Sequence, residues 1–151
     1  MLTSKINPLE FTELYNNALP FAHMNFLNLF DEDKLNEIVK EFPEMEIEMT
    51  DKSGETTNKK KTYKRKHGPI LKKLRPKTKA FCKFMNSNVM IKWLEDLTGI
   101  KNLIADDTLE GGGPHTISKG GFLKMHVDFN IHPKTRYDRR LNVLVYLNDK
   151  W

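Results

Sequence analysis

Hydrophobic positions follow a helical period in the first hundred residues. Behind Asp31, a residue type suited to a helix N-cap, apolar side chains recur at i, i+3, i+4 and i+7, and Pro43 ends the run. This stripe predicts a core-facing helix and consists of Leu35, Ile38, Val39 and Phe42. A second helix is predicted over residues 79–85, and a third over 88–97 between Ser87 as N-cap and Gly99 as terminator.

The period changes beyond Leu103. Over residues 141–147, Leu141, Val143, Val145 and Leu147 alternate with Asn142, Leu144 and Tyr146, which predicts a strand buried on at least one face. An extended segment or strand is also predicted over 21–27. Residues 130–140 form a polar connection between the last two predicted strands, with Pro133 marking a turn.

Candidate chemistry lies where the earlier of those strands ends. His126 and Asp128 are two residues apart, and side chains at i and i+2 of a strand point to the same face. An imidazole and a carboxylate that converge in this way make two-thirds of the 2-His-1-carboxylate triad that holds non-haem Fe(II). The pair alone is a weak signal, and the flanking strand patterns strengthen it.

The surrounding motifs resemble a known family. The stretch contains H-V-D-F-N from His126, H-P from His132, R-R-L-N from Arg139, Y-L-N from Tyr146 and a final Trp151. This order resembles the prolyl-4-hydroxylase-like branch of the 2-oxoglutarate/Fe(II) oxygenases. The resemblance is most specific over 121–151 and is weaker upstream, in segments 21–27, 42–43, 97–100 and 111–113.

The resemblance implies roles for individual residues. His126 and Asp128 would be iron ligands, and Tyr146 would hydrogen-bond the distal carboxylate of 2-oxoglutarate. Near Thr116, where some relatives carry a tyrosine that faces the cosubstrate, this chain has His115 instead, which is a further candidate to line the site. Fe(II) and 2-oxoglutarate are implied, with ascorbate as a supporting reductant. The family's second ligand histidine and its carboxylate-binding Arg or Lys lie on later strands that this sequence does not contain. We therefore expect a truncated oxygenase, inactive and weakly iron-binding as this 151-residue chain.

The implied fold class is α+β. Residues 1–151 are predicted to form a single, incomplete oxygenase domain, with a helical support region over 1–110 and the first core strands over 111–151. Those strands would begin a double-stranded β-helix, or jelly roll, packed on the N-terminal helices.

Other interpretations of these histidines and of Tyr146 stay open. Tyr146 also suits an ordinary core position, and His115 an ordinary loop position after Pro114. His132 is an alternative third ligand, although H-P more often opens a turn. His23 suggests a satisfied histidine near the core.

The uneven distribution of charge along the chain suggests an alternative function. Residues 59–79 hold 11 Lys or Arg in 21 positions, whereas the preceding segment is acidic. Such a run is either a solvated loop or a surface for anionic partners, so the alternative function is a non-catalytic, oxygenase-like binding module that uses this basic loop. Nucleic acid is not expected, because Tyr63 is the only aromatic residue in the run.

The remaining features limit the class of protein. There is no phosphate-binding loop, C-x-x-C, G-x-S-x-G or H-E-x-x-H motif. The single cysteine, Cys82, and the lack of a signal-like or membrane-spanning apolar run predict a cytoplasmic protein. Expected partners are the small-molecule cosubstrate, O₂ and a protein or anionic small-molecule substrate, whose identity no residue indicates.

Overall fold

A computed structural model of the chain describes residues 1–3, 6–42, 74–110, 112–114 and 127–148. They belong to two compact units. The first comprises Met1–Glu41 and Pro76–Asp107, and the second comprises Phe42–Arg75 and Thr108–Trp151. The single-domain organisation stays a prediction.

The first unit opens with short helical elements. A 3₁₀ helix, Pro8–Phe11, starts at Asn7, whose side chain accepts a hydrogen bond from the Leu9 amide at 3.3 Å. Helix α1, Thr12–Asn17, follows directly. Proline in the first helical turn has no amide hydrogen that would need a partner, which suits it to this start.

Helix α2, Glu32–Val39, begins where the sequence predicts. The Asp31 side chain accepts a hydrogen bond from the Lys34 amide at 3.1 Å, so Asp31 is the N-cap. Of the predicted stripe, Ile38 is buried in the core, whereas Val39 is exposed.

Helices α3, Pro76–Met85, and α4, Asn88–Thr98, confirm the two later helix predictions with small changes at their ends. Ser87 caps α4 by accepting a hydrogen bond from the Met90 amide at 3.4 Å. Gly99 ends α4 in the left-handed conformation, with φ of 74°, and its amide donates to the Glu95 carbonyl oxygen.

Helix α4 supplies the centre of this unit's core. Met90 is completely buried, and Trp93 and Leu97 are buried on the same face. The Trp93 ring packs edge-to-face on Phe26 at 5.2 Å between centroids, and Phe26 does the same with Phe11 at 5.2 Å. These aromatic contacts attach the N-terminal segment to α4.

The strand that the sequence offers as one alternative for residues 21–27 is not formed. Residues 21–22 and 27 form bends and residues 23–26 have no regular secondary structure. Phe21 and Leu27 are exposed, and His23 is also exposed instead of near the core. A bond from His23 Nδ1 to the Phe21 carbonyl oxygen, at 2.8 Å, stabilises a local turn there. Pairing occurs just after this segment, where Leu2 forms an antiparallel bridge with Phe30.

In the second unit, residues 141–148 form no strand, although the sequence predicts one over 141–147. Along 141–148, Leu141, Val145 and Leu147 are half-buried, whereas Leu144 and Tyr146 are exposed. Val143 is 42% exposed, so burial follows the two-residue period of the sequence only in part. Within the described ranges, strand pairing amounts to two isolated bridges. The jelly roll stays a prediction, because residues 115–126, which would carry its first strands, lie outside the described residues.

None of the helices in the described ranges is long and apolar enough to cross a membrane.

Candidate metal centre

The chain reverses direction directly after Asp128. The Arg139 amide donates to the Asn130 carbonyl oxygen at 2.7 Å, and the His132 amide donates to the Tyr137 carbonyl oxygen at 2.8 Å. We call residues 130–139 the basic hairpin. It confirms the turn predicted at Pro133. Its register brings the residues before Asn130 beside those that follow Tyr137.

His132 holds the turn of the basic hairpin. The ring is 8% exposed, and its Nδ1 accepts hydrogen bonds from the amides of Lys134 at 3.3 Å and Thr135 at 3.1 Å. A nitrogen that accepts cannot carry the ring proton, so the proton of the neutral ring lies on Nε2. Nε2 lies 3.4 Å from the Thr108 hydroxyl oxygen. These contacts favour a structural role for His132 over iron ligation.

Asp128 forms an ion pair across the base of the basic hairpin. Its Oδ2 lies 3.2 Å from Nη2 of Arg139, and the side chains are 49% and 22% exposed, respectively. The Arg139 guanidinium also covers the Phe129 ring, 4.8 Å from its centroid. Phe129 in turn meets the His132 ring edge-to-face at 6.2 Å. The Asp128 carboxylate is thus held next to a packed aromatic and cationic cluster.

The donor chemistry of Asp128 fits a predicted iron ligand. A carboxylate offers two oxygens, so pairing of Oδ2 with Arg139 is compatible with coordination of a metal through Oδ1. His126 and His115 lie outside the described residues. Among the described residues, no group of three or more His, Cys, Asp or Glu could hold a metal ion. The described part of the chain therefore contributes one of the two predicted ligands.

Tyr146 lies within residues 141–148 and is exposed to solvent. Tyr146 is 64% exposed, and Leu144, two residues earlier, is also exposed. The position differs from that of an ordinary core tyrosine. The predicted contact with 2-oxoglutarate stays a prediction.

The end of the basic run belongs to a helix. Residues 59–73 lie outside the described residues, whereas Lys77 lies in the first turn of α3 and its Nζ is 3.2 Å from Glu37 Oε2. A hydrogen bond from Lys77, followed by the charges of Lys34 and Lys77, lowers the pKa of Glu37. The acidic helix α2 thus neutralises part of the predicted basic loop.

Arg139 was not among the predicted site residues. A signal for it exists in the sequence, because opposite charges at Asp128 and Arg139 flank a polar segment with a turn-forming proline. A second ion pair, between Lys134 Nζ and Glu110 Oε2 at 3.4 Å, fixes the turn of the same hairpin.

No protein-family model matches this chain, and no curated protein or solved structure is significantly similar to it. The functional argument therefore rests on the sequence pattern and on the contacts described above.

Proposed function

We propose that the chain is part of an Fe(II)- and 2-oxoglutarate-dependent dioxygenase that hydroxylates a C–H bond. The observation that carries this proposal is the H-x-D pair at His126 and Asp128, followed by R-R-L-N and Y-L-N in the family's order. The half-exposed carboxylate of Asp128 supports it, because a ligand must be reachable by a metal ion.

His126 and Asp128 would hold the metal. When bound, Fe(II) supplies the chemistry by which R–H, O₂ and 2-oxoglutarate become R–OH, succinate and CO₂. The protein contributes orientation and a site from which water is excluded. Asp128 would bind through one oxygen, and its attachment to Arg139 limits rotation of the carboxylate.

Tyr146 and His115 are proposed to serve the cosubstrate. The Tyr146 hydroxyl would donate a hydrogen bond to the distal carboxylate of 2-oxoglutarate, and its exposed position leaves the ring accessible to a ligand. His115 would line the near side of the pocket. Ascorbate would act as an auxiliary reductant, and the proposed location is the cytoplasm.

The substrate is proposed to be a prolyl residue of a protein or an anionic small molecule. The 11 Lys or Arg within residues 59–79 provide a positive potential that favours such partners over a free apolar metabolite.

Metal titration tests the first half of the proposal. Mn(II) takes the same nitrogen and oxygen ligands as Fe(II), and its binding is measured through water-proton relaxation, which detects weak sites. Asp128→Ala should reduce binding, whereas Asp138→Ala, a matched change at an exposed position of the same hairpin, should leave it unchanged. Equal binding by wild type and Asp128→Ala would remove Asp128 from the metal site.

Turnover tests the second half. Succinate is measured with Fe(II), 2-oxoglutarate, ascorbate and candidate peptides or small acids, on this chain and on an extended protein if the reading frame continues past Trp151. His126→Ala should abolish succinate formation. Absence of succinate across all substrates, together with tight binding to an acidic polymer that is lost when the basic run is neutralised, would favour the binding module instead.

A further inference from the structure

Both the backbone and the side chain of Arg139 are held by specific contacts. Its amide donates to the Asn130 carbonyl oxygen at 2.7 Å, which places its Cα in the register of the basic hairpin. Its guanidinium lies over the Phe129 ring at 4.8 Å and reaches Asp128 Oδ2 at 3.2 Å. Because backbone and side chain are both held, Arg139 has little freedom to move away from the Asp128 carboxylate.

We propose that Arg139 is a positioning residue, which orients the Asp128 carboxylate for coordination of a metal through its other oxygen. This inference rests on the proposed function. The planar guanidinium makes directed hydrogen bonds to a carboxylate, whereas a lysine ammonium would act mainly as a point charge. Holding Oδ2 favours one-oxygen coordination through Oδ1 and leaves fewer orientations to be lost when metal binds.

The positive charge of Arg139 affects metal affinity in the opposite direction to its orientation of the Asp128 carboxylate. A cation beside the ligand repels a divalent metal and weakens binding, while the orientation of the carboxylate strengthens it. The two contributions therefore predict opposite results when the guanidinium is removed. Arg139 is a positioning residue only if its removal weakens metal binding.

The experiment compares Mn(II) affinity in wild type, Arg139→Met, Arg139→Lys and Arg140→Met by water-proton relaxation. Arg140 is an adjacent exposed arginine, so Arg140→Met controls for the lost charge. Loss of a residue that orients a metal ligand typically lowers affinity about tenfold or more, and we expect this for Arg139→Met. Arg139→Lys should be at least as weak, because it keeps the charge that repels the metal ion but lacks the planar donor group, and Arg140→Met should bind like wild type.

A double variant separates positioning from hairpin stability. If Arg139 acts through Asp128, then Arg139→Met should not weaken Mn(II) binding further once Asp128→Asn is present. Hydrogen exchange of the His132 amide, which donates to Tyr137, reports whether the hairpin is intact in each variant.

The outcomes separate this inference from the proposed function. Unchanged or tighter Mn(II) binding by Arg139→Met, with Asp128→Ala still weakened, would overturn the positioning role alone. If Arg139→Met weakens Mn(II) binding and the His132 amide is no longer protected from hydrogen exchange, the loss of affinity comes from an opened hairpin. That result would also overturn the positioning role. Equal binding, or no binding, by wild type and Asp128→Ala would overturn the metal role of Asp128 and the inference together.

Discussion

The carboxylate of Glu41, just beyond α2, accepts hydrogen bonds from both the amide and the hydroxyl of Thr78, each at 2.8 Å. It also accepts one from the Lys77 amide at 2.8 Å. The amides in the first turn of a helix have no partner within it, and Pro76 at the start of α3 has no amide hydrogen. Glu41 is therefore the N-terminal cap of α3, supplied from 37 residues away in the chain.

Glu41→Gln should destabilise the first unit at neutral pH by about 1 kcal/mol, the usual effect of losing a helix cap. Burial raises the pKa of Glu41, but the hydrogen bonds from Thr78 and Lys77 outweigh it and lower the pKa below 4.5. The stabilisation is thus present above the unfolded-state pKa and is lost as the pH falls through the folded-state pKa. Urea unfolding of wild type and variant between pH 7 and about pH 3 should show a difference that shrinks with acidity.

Glu37→Gln is the matched control for this change. Glu37 also interacts with Lys77, but through that residue's exposed ammonium group. Solvent screens such a pair, so its loss should have a smaller effect than loss of the Glu41 cap. A larger effect at Glu37, or a Glu41 effect independent of pH, would contradict the capping role.

Met90→Ala should lower the free energy of unfolding by about 2–5 kcal/mol, because Met90 is completely buried and its truncation leaves a cavity. Val89→Ala, on the same helix but 63% exposed, should cost far less. Urea unfolding followed by tryptophan fluorescence measures both, since Trp93 is buried in the same core. Similar losses for the two variants would contradict the assigned faces of α4.

Helices α2 and α4 could be predicted because their ends depend on neighbouring residues, whereas the 3₁₀ helix and α1 were not predicted. Asp31 and Ser87 each accept a hydrogen bond from an amide three residues later, and Gly99 takes the left-handed conformation that ends α4. Contacts between distant segments leave no comparable pattern. The pairing of Leu2 with Phe30 and the capping of Thr78 by Glu41 both depend on tertiary packing, which composition and periodicity do not encode.

The same distinction applies to the candidate site. The turn near Pro133 is a local feature and was predicted, whereas the strand predicted over 141–147 is not formed in the part of the chain that the structure describes. The pairing of Asp128 with Arg139 depends on the hairpin register, since a shift by one residue would turn Arg139 away. The ligand roles of His126 and Asp128 and the jelly roll stay predictions, because they require residues 115–126.

Cys82 should react slowly with Ellman's reagent in the folded protein. Burial raises the pKa of its thiol from 9.0 to about 11, so its thiolate fraction at pH 8 falls on the order of a hundredfold. Labelling in buffer should therefore be slow, accelerate as the pH is raised, and become rapid in urea. Cys82 is the only cysteine, so the signal has a single source. Equal rates with and without urea would show that the thiol is not shielded.

His132→Leu should open the turn of the basic hairpin. The substitution removes the Nδ1 acceptor for the amides of Lys134 and Thr135. An amide that loses a hydrogen bond worth about 1.4 kcal/mol exchanges about tenfold faster. His132→Asn is the matched variant, because its side-chain oxygen can accept from an amide two residues later. Hydrogen exchange should be fast at Lys134 and Thr135 in the leucine variant and slower in the asparagine variant.

His132→Asn also distinguishes the structural role from the alternative of a third metal ligand. If His132 only holds the turn, the asparagine variant should keep both amide protection and the Mn(II) affinity of wild type. If the imidazole coordinates the metal, affinity should fall although the turn stays closed, since losing one ligand weakens a site directly. The second result would also overturn the assignment of the ring proton to Nε2, because a neutral imidazole coordinates a metal through its unprotonated nitrogen and Nδ1 is occupied by backbone donors.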